Sequence, residues 1–198
     1  MLAAVILAAG ESRRMGEPKA LVTVHGRTFI EHLFDATRLP RIGITRIVLG
    51  AYAAEIRAKM EFDSTMIVMN PYWPSGQLSS IQAAIRSLPA RTTEGVVICP
   101  VDHPLVSQHL ISELISRFDS SGKAIVLPTH RDKRGHPVIF RASLYEELLA
   151  ASPKVGARQV VWAHALEVQE VSTEEKGVIL NLNDPESLRT VALPETAS

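Results

Sequence analysis

Six apolar runs of strand length alternate with segments of helical spacing, and that alternation restricts the fold of this chain more than any other feature. The runs are Ala3 to Ala8, Arg46 to Gly50, Thr65 to Met69, Gly95 to Val101, Ala124 to Leu127 and Pro137 to Phe140. Between most of them, apolar residues recur at helical intervals: Phe29-Ile30-Leu33-Phe34, Leu78-Ile81-Ile85-Leu88 and Leu110-Ile111-Leu114-Ile115-Phe118. Continuous apolar strands are buried on both faces, so the pattern predicts an α/β fold: a mostly parallel sheet covered by helices on both sides. In such sheets ligands bind beyond the carboxyl ends of the strands.

After about Ser143 the pattern loosens. Leu144-Leu148-Leu149 reads as a helix, Val155 to Ala165 as another, and Glu167 to Val171 and Val178 to Leu182 as strands. With no proline- or glycine-rich linker, the expectation is one domain over residues 1–193, followed by a frayed tail from Pro194 to Ser198.

The chain has 198 residues, 46% hydrophobic and 21% charged, with 21 Lys plus Arg against 21 Asp plus Glu. That length can bury a substantial core. The charge balance leaves no overall field for nucleic acid or a membrane surface, so cations that matter must be local. The single cysteine, Cys99, lies in the apolar run Val96-Val97-Ile98-Cys99 and reads as a buried, inert thiol. The apolar start, Met1 to Ala9, is too short to span a bilayer and lacks the positive flank of a signal peptide. A cytoplasmic protein is expected.

The first strand runs into Ala8-Ala9-Gly10-Glu11-Ser12-Arg13-Arg14-Met15-Gly16-Glu17-Pro18-Lys19. Small residues let a base and phosphates approach the main chain, free N–H groups cradle phosphate oxygens, and Arg14 and Lys19 bracket the turn with positive charge. The segment is neither a P-loop, lacking Gly-Lys-Ser/Thr, nor a dinucleotide fingerprint, lacking the three-glycine spacing. A second constellation is Pro100-Val101-Asp102-His103-Pro104. A carboxylate directly after a buried strand is unfavourable unless a cation or several donors meet it. Ser107 is better placed than Asp102 to cap the helix beginning near Gln108, so Asp102 is the candidate ligand for a magnesium ion.

Leu7 to Lys19 resembles the signature Leu-Ala-Ala-Gly-x-Ser-x-Arg-Met-Gly-x-Pro-Lys of the MobA-like nucleotidyltransferases, nearest to the molybdenum-cofactor cytidylyltransferase branch. The likeness continues through Pro18-Lys19-Ala20-Leu21 and Val24-His25-Gly26-Arg27-Thr28-Phe29-Ile30. It implies a three-layer, Rossmann-like nucleotidyltransferase fold of the nucleotide-diphospho-sugar transferase type. By the same resemblance Leu7, Ala8, Ala9 and Gly10 hold the base, while Arg14 and Lys19 bind the triphosphate and, with Asp102, are the catalytic set. Asn181-Leu182-Asn183-Asp184-Pro185-Glu186 is similar to the family's Asp-Ile-Asp-Thr-Pro-Glu. The second metal ligand then falls on Asn183, where the family has aspartate. Asp184 is the alternative ligand, or the cap of the helix that follows.

Asn70-Pro71-Tyr72-Trp73-Pro74-Ser75-Gly76-Gln77-Leu78-Ser79-Ser80 resembles the family segment beside the nucleotide, with Gly76, Ser79 and Ser80 as its contacts. The bland alternative is a helix opened by Ser79 or Ser80, with Trp73 plugging the core. The basic loop Thr129 to Val138 carries Gly135-His136-Pro137, similar to the element that faces the acceptor. Val155-Gly156-Ala157-Arg158 is similar to another family element, which assigns Arg158 to the acceptor as well. The acidic residue expected just before it is replaced by Pro153 or Lys154.

The resemblance thus implies transfer of CMP from CTP to molybdopterin with release of pyrophosphate, assisted by Mg2+, in a protein that serves a molybdenum hydroxylase. Within the class, a GTP-using enzyme or a sugar- or polyol-phosphate acceptor is the rival. A non-catalytic nucleotide-binding or cofactor-delivery module is the rival outside it, favoured by Asn183 and Lys154.

Overall fold

The computed structural model describes residues 1–89 and 91–192; the expected tail from Pro194 to Ser198 lies outside the described residues. The elements run β1 (Leu2–Ala8), β2 (Thr23–Val24), β3 (Arg27–Thr28), α1 (Phe29–Ala36), β4 (Ile42–Leu49), α2 (Ala53–Lys59), β5 (Ile67–Met69) and α3 (Gln77–Ser87). There follow β6 (Gly95–Pro100), α4 (Gln108–Ser121), β7 (Ile125–His130), β8 (Lys133–Arg134), β9 (Val138–Arg141), α5 (Tyr145–Ala150), α6 (Arg158–Ala163), β10 (Val168–Ser172) and α7 (Pro185–Ala192). The main sheet has the order β10-β7-β9-β6-β1-β4-β5, with β8 paired to β7. Every neighbouring pair along that path is parallel except those made by β9, which runs against β6 and β7.

Side chains alternate across the sheet as the pleat requires. In β1, Leu2, Ile6 and Ala8 enter a core with α1 and α4, whereas Ala3, Val5 and Leu7 enter a second core with α3 and α5. All seven β1 residues are buried, which is why the run reads as continuously apolar. α1 buries Phe29, Ile30, Leu33 and Ala36 on one face, and a capping box starts it. The Thr28 hydroxyl accepts from the Glu31 N–H, and the Glu31 carboxylate accepts from the Thr28 N–H. α4 starts at Ser107, whose Oγ accepts from the Leu110 N–H, as its sequence position suggests.

One expected strand is absent, and two other elements carry no periodic signal. Val178 to Leu182 is not a strand. Lys176–Val178 forms a 3-10 turn, and the Ile179 and Leu180 N–H groups bond back to the Lys176 carbonyl. Val178 and Leu182 are apolar because they plug the core from this crossing segment, not because they lie in the sheet. The basic loop after Thr129 is a tight hairpin rather than a loose one. Arg131 and Asp132 both take left-handed backbone (φ 48° and 63°), the geometry that matches a two-residue turn to the twist of β7 and β8. Finally, α2 carries only two buried residues, Ala53 and Ile56, too few to mark a helix by periodicity.

α6 is shorter than the expected helix and is tied at its end by His164. Its Nε2 lies 2.9 Å from Glu147 on α5, and its Nδ1 lies 3.3 Å from Glu167. The Glu147 bond first, then Glu167, raise the His164 pKa above its ordinary 6.5. The protonated ring is therefore the stabilising form. Its contribution is complete below pH 6.5 and is lost as pH rises through the raised value. Melting temperatures of the wild type and His164→Gln should differ most at pH 6 and converge at alkaline pH; a gap that widens with pH contradicts this clasp.

Candidate active site

The first loop is built around Ser12. Its backbone is left-handed (φ 54°), its carbonyl accepts from the Met15 and Gly16 N–H groups, and its hydroxyl accepts from the Lys19 N–H. This folds Glu11 to Pro18 back over the carboxyl end of β1. Gly50, at the end of β4, lets the loop seat: a Cβ there would lie 2.5 Å from the Ala9 carbonyl oxygen and 2.8 Å from the Trp73 ring. The result is a cleft of about 450 Å³ whose wall includes Leu7, Ala8, Ala9, Gly10, Lys19 and Asp102. Of the segment after β5, Gly76 and Ser80 also reach this wall.

Ser79 does not line it. Its hydroxyl donates to the Tyr72 and Gly76 carbonyls and accepts from the Asn70 amide, a buried net that shapes the turn into α3. Gly76 takes φ 102° at the start of that helix, a conformation that glycine accommodates best. Arg14 is exposed on the outer side of the loop; Arg13 lines the cleft and donates to Glu11 at 2.6 Å.

Lys19 joins three distant parts of the chain. Its ammonium donates to Asn183 Oδ1 and stands 3.6 Å from Asp102 Oδ2. The crossing segment makes this possible: the Leu182 N–H bonds the Asp102 carbonyl at 2.8 Å, which sets Asn183 beside the end of β6. Asp184 is engaged elsewhere. Its carboxylate accepts from the Ser187 N–H at the start of α7, and that bond, the Ser187 side chain and then the Arg14 charge hold its pKa below the ordinary range. Among the described residues, no group of three or more His, Cys, Asp and Glu side chains is placed to hold a metal. Asp102 and Asn183 are the oxygen donors beside Lys19 that could hold a cation.

A second cleft of about 440 Å³ opens on the other side of Gln77, which lines both. It collects the residues assigned to the acceptor side: Gly135, His136 and Arg158. Pro137 lies behind them against His103. The floor is apolar, with Leu127 and Phe140 from the sheet, and Trp162 forms part of the wall. The Arg158 guanidinium sits 5.3 Å from the Trp162 ring centre, a cation–π contact one helical turn apart.

Two imidazoles line a small hollow next to the second cleft, which His136 also lines. His103 and His136 rings are 4.9 Å apart, and His136 Nδ1 is buried with no hydrogen-bond partner among the described residues. Burial, helped by His103 and opposed by Asp102, pushes the His136 pKa down to about 4, so the ring is neutral at neutral pH. Burial also lowers His103, outweighing the opposite pull of Asp102 at 3.9 Å. Cys99 is buried and its thiol is pushed up to about 12, which makes it inert.

Sequence reasoning did not single out Gln77, Trp162 or Arg13 as site residues. Trp162 carried a readable signal, lying four residues after Arg158 on the same helix. Gln77 carried none, because its importance comes from standing where two clefts meet. No helix among the described residues is long and apolar enough to cross a membrane.

Comparison with known proteins agrees with this geometry. Residues 4–168 match the MobA-like NTP transferase domain family. The chain is 31% identical to the nicotine blue oxidoreductase of Paenarthrobacter nicotinovorans over 80% of its own length and 82% of that protein. It is 23% identical to the molybdenum cofactor guanylyltransferase of Shewanella putrefaciens, over 98% and 97% of the two chains. Among solved structures, Rv0371c of Mycobacterium tuberculosis superimposes with a TM-score of 0.81 at 25% identity, covering 96% of each chain. A manganese complex of Rv0371C superimposes with a TM-score of 0.77 at 24% identity, covering 96% of this chain and 97% of that one. A sheet between two helix layers, a glycine-containing loop closing over its first strand and a family match over residues 4–168 lead to one conclusion: the chain belongs to the MobA-like NTP transferase family.

Proposed function

We propose that this protein transfers CMP from CTP to the phosphate of molybdopterin and releases pyrophosphate. One observation carries the reading: a cleft walled by small residues and Lys19 and a cleft with an apolar floor and an Arg158–Trp162 rim meet at Gln77. That is the arrangement a two-substrate transfer needs, with the reacting phosphates at the border. An acceptor phosphate oxygen forms the new bond to the α-phosphorus. The bond from that phosphorus to the bridging oxygen breaks, and pyrophosphate leaves with the electron pair.

The chain's part is positioning and charge. The Leu7–Gly10 backbone borders the base, and Lys19 neutralises charge on the α-phosphate and the leaving group. Arg14 reaches the outer phosphates by swinging in from the loop's exposed side. Gly135, His136, Pro137 and Arg158 hold the acceptor. The donor set fits a hard dication, because the Asp102 carboxylate and the Asn183 amide oxygen face one cationic centre, the Lys19 ammonium. Bound there, Mg2+ would supply charge neutralisation between donor and acceptor phosphates; the manganese complex of Rv0371C supports a divalent ion. An acceptor phosphate is already ionised, so no general base is required.

Ala9 favours the smaller base. The guanylyl branch tends to carry glycine here, and the Ala9 methyl takes room in a cleft wall that a purine would use. Pyrophosphate release with molybdopterin should therefore be fastest with CTP, against GTP and UTP. The tryptophans offer a second check, since Trp73 lines the first cleft and Trp162 the second. CTP should change Trp73 fluorescence and a planar pterin should quench Trp162. An undiminished pterin response in Trp162→Phe removes the acceptor assignment.

The identity to an oxidoreductase favours a second reading. In it, a dihydronicotinamide nucleotide occupies the first cleft and a planar heteroaromatic acceptor the second. Oxidation of NADH or NADPH by a quinoid pigment, with no pyrophosphate from any nucleoside triphosphate, would select it.

A further inference from the structure

We infer that Asn183 and Lys19 together make divalent-cation binding contingent on the nucleotide, so that the metal enters only with the triphosphate. The inference rests on Asp102 and Asn183 being the metal ligands, as proposed above. Both oxygens that would hold the metal are engaged by one ammonium: Lys19 donates to Asn183 Oδ1 and stands 3.6 Å from Asp102 Oδ2. Lys19 and Asp102 are largely shielded, with side chains 16% and 21% exposed. Solvent therefore screens this cluster less than it would a surface pair.

The charges decide the outcome. Asp102 contributes one negative charge, Lys19 one positive charge and Asn183 none, so the position is neutral before any ligand arrives. Nearby, Glu11 is paired with Arg13 at 2.6 Å, Asp184 accepts from the Ser187 N–H at 2.8 Å, and Glu17 of the loop is exposed to solvent. A bare dication entering here gains one carboxylate and meets an ammonium within a few ångströms. It would also have to surrender water for only two protein oxygens, which magnesium and manganese do reluctantly. A triphosphate reverses each term. Its oxygens would draw the Lys19 ammonium away, add oxygen ligands and carry the negative charge that the protein lacks.

Asn183 is the deciding residue. An aspartate there would leave the cluster at one net negative charge even with Lys19 in place, and the free protein would then hold a dication. Removing the ammonium should have the same effect by the other route. The two substitutions act through opposite charges on one position, and a purely structural role for either residue would not produce a gain of binding.

The test is Mn2+ binding to the full chain, read from the six-line EPR signal of the free aqua ion, without acceptor and with or without CTP. Wild type should bind weakly alone and at least roughly tenfold more tightly with CTP, a difference expected when opposed charges about 4 Å apart are rearranged. Asn183→Asp and Lys19→Met should each bind Mn2+ without nucleotide at least roughly tenfold more tightly than wild type, by the same charge argument. Lys19→Met should at the same time bind CTP more weakly. Lys19→Gln replaces it if the methionine variant does not fold, and circular dichroism confirms the fold of each. Equal wild-type affinity with and without CTP overturns the inference, as does no gain in either nucleotide-free variant. Mn2+ binding unaffected by Asp102→Asn overturns the ligand assignment beneath it. The nucleotide-free arms do not depend on turnover, so failure of CTP to support pyrophosphate release would count against the proposed reaction and leave this result standing.

Discussion

Asp102→Asn should lower nucleotidyl transfer by at least about 10³-fold, the scale on which preorganised charge at a reacting group acts in a water-poor site. The substitution keeps the side chain's shape and its place after β6, and the Leu182 N–H bond goes to the Asp102 backbone carbonyl, which is unchanged. The fold should therefore survive. What is lost is, among the described residues, the only carboxylate facing the Lys19 ammonium, since Asn183 supplies an oxygen without charge. Two amides in that position hold a dication poorly. The measurement is pyrophosphate release with CTP, Mg2+ and molybdopterin, beside thermal unfolding of the same preparation. A variant with more than about a tenth of wild-type turnover would remove Asp102 from the chemistry, because charge stabilisation of this kind is worth far more.

Gly135→Ala should be the most damaging single methyl added to this protein. A Cβ at Gly135 would lie 2.3 Å from the Val178 carbonyl oxygen and 2.7 Å from its carbonyl carbon. Backbone cannot rotate away as a side-chain tip would, so the two segments must separate. Overpacking of this sort costs about 1–3 kcal/mol, and here the displaced segment also carries Asn183, a ligand in the proposed reaction. The His136 N–H bonds the Val178 carbonyl at 2.9 Å, and the same crossing segment then delivers Leu182 and Asn183 to Asp102. Stability by urea unfolding and turnover should fall together. Gly122→Asn is the control: Gly122 ends α4 in the left-handed region (φ 67°) with open space around its Cβ position. Asparagine tolerates that conformation, so stability should change little and turnover not at all. Full activity in Gly135→Ala would show that the close approach at Val178 does not hold the site together.

How far the sequence could be read varied with the range of the interaction involved. β1 extends over Leu2–Ala8 because seven consecutive residues are buried on both faces, and that is visible as an unbroken apolar run. α1 and α4 were legible from their helical spacing, and α4 also from its cap at Ser107, which bonds within three residues. Val178 and Leu182 misled because burial alone does not say what buries a residue. Each is fully buried, yet the segment that carries them bonds to itself, to the His136 N–H and to the Asp102 carbonyl without a strand ladder, so apolarity there reports core contact and not pairing. The hairpin at Arg131-Asp132 was hidden because neither residue is glycine, the usual sign of a left-handed turn. In the site, small residues and cations in the first loop pointed to a cleft at the end of β1, and Leu7 to Gly10 and Lys19 line one. Nothing local distinguished Ser79, whose hydroxyl is consumed by the turn, from Ser80, which reaches the cleft.

By itself, the sequence determined the layers of this protein and its family, because strand burial, helix faces, caps and a glycine-containing loop are written within a few residues of one another. Only the tertiary structure decided which groups act together. Lys19 and Asn183 stand 164 residues apart and meet because a chain crossing is held to the Asp102 carbonyl by one backbone bond. Gln77 belongs to both clefts because α3 begins where they join. Such meetings depend on how distant segments pack, and no local spacing encodes them.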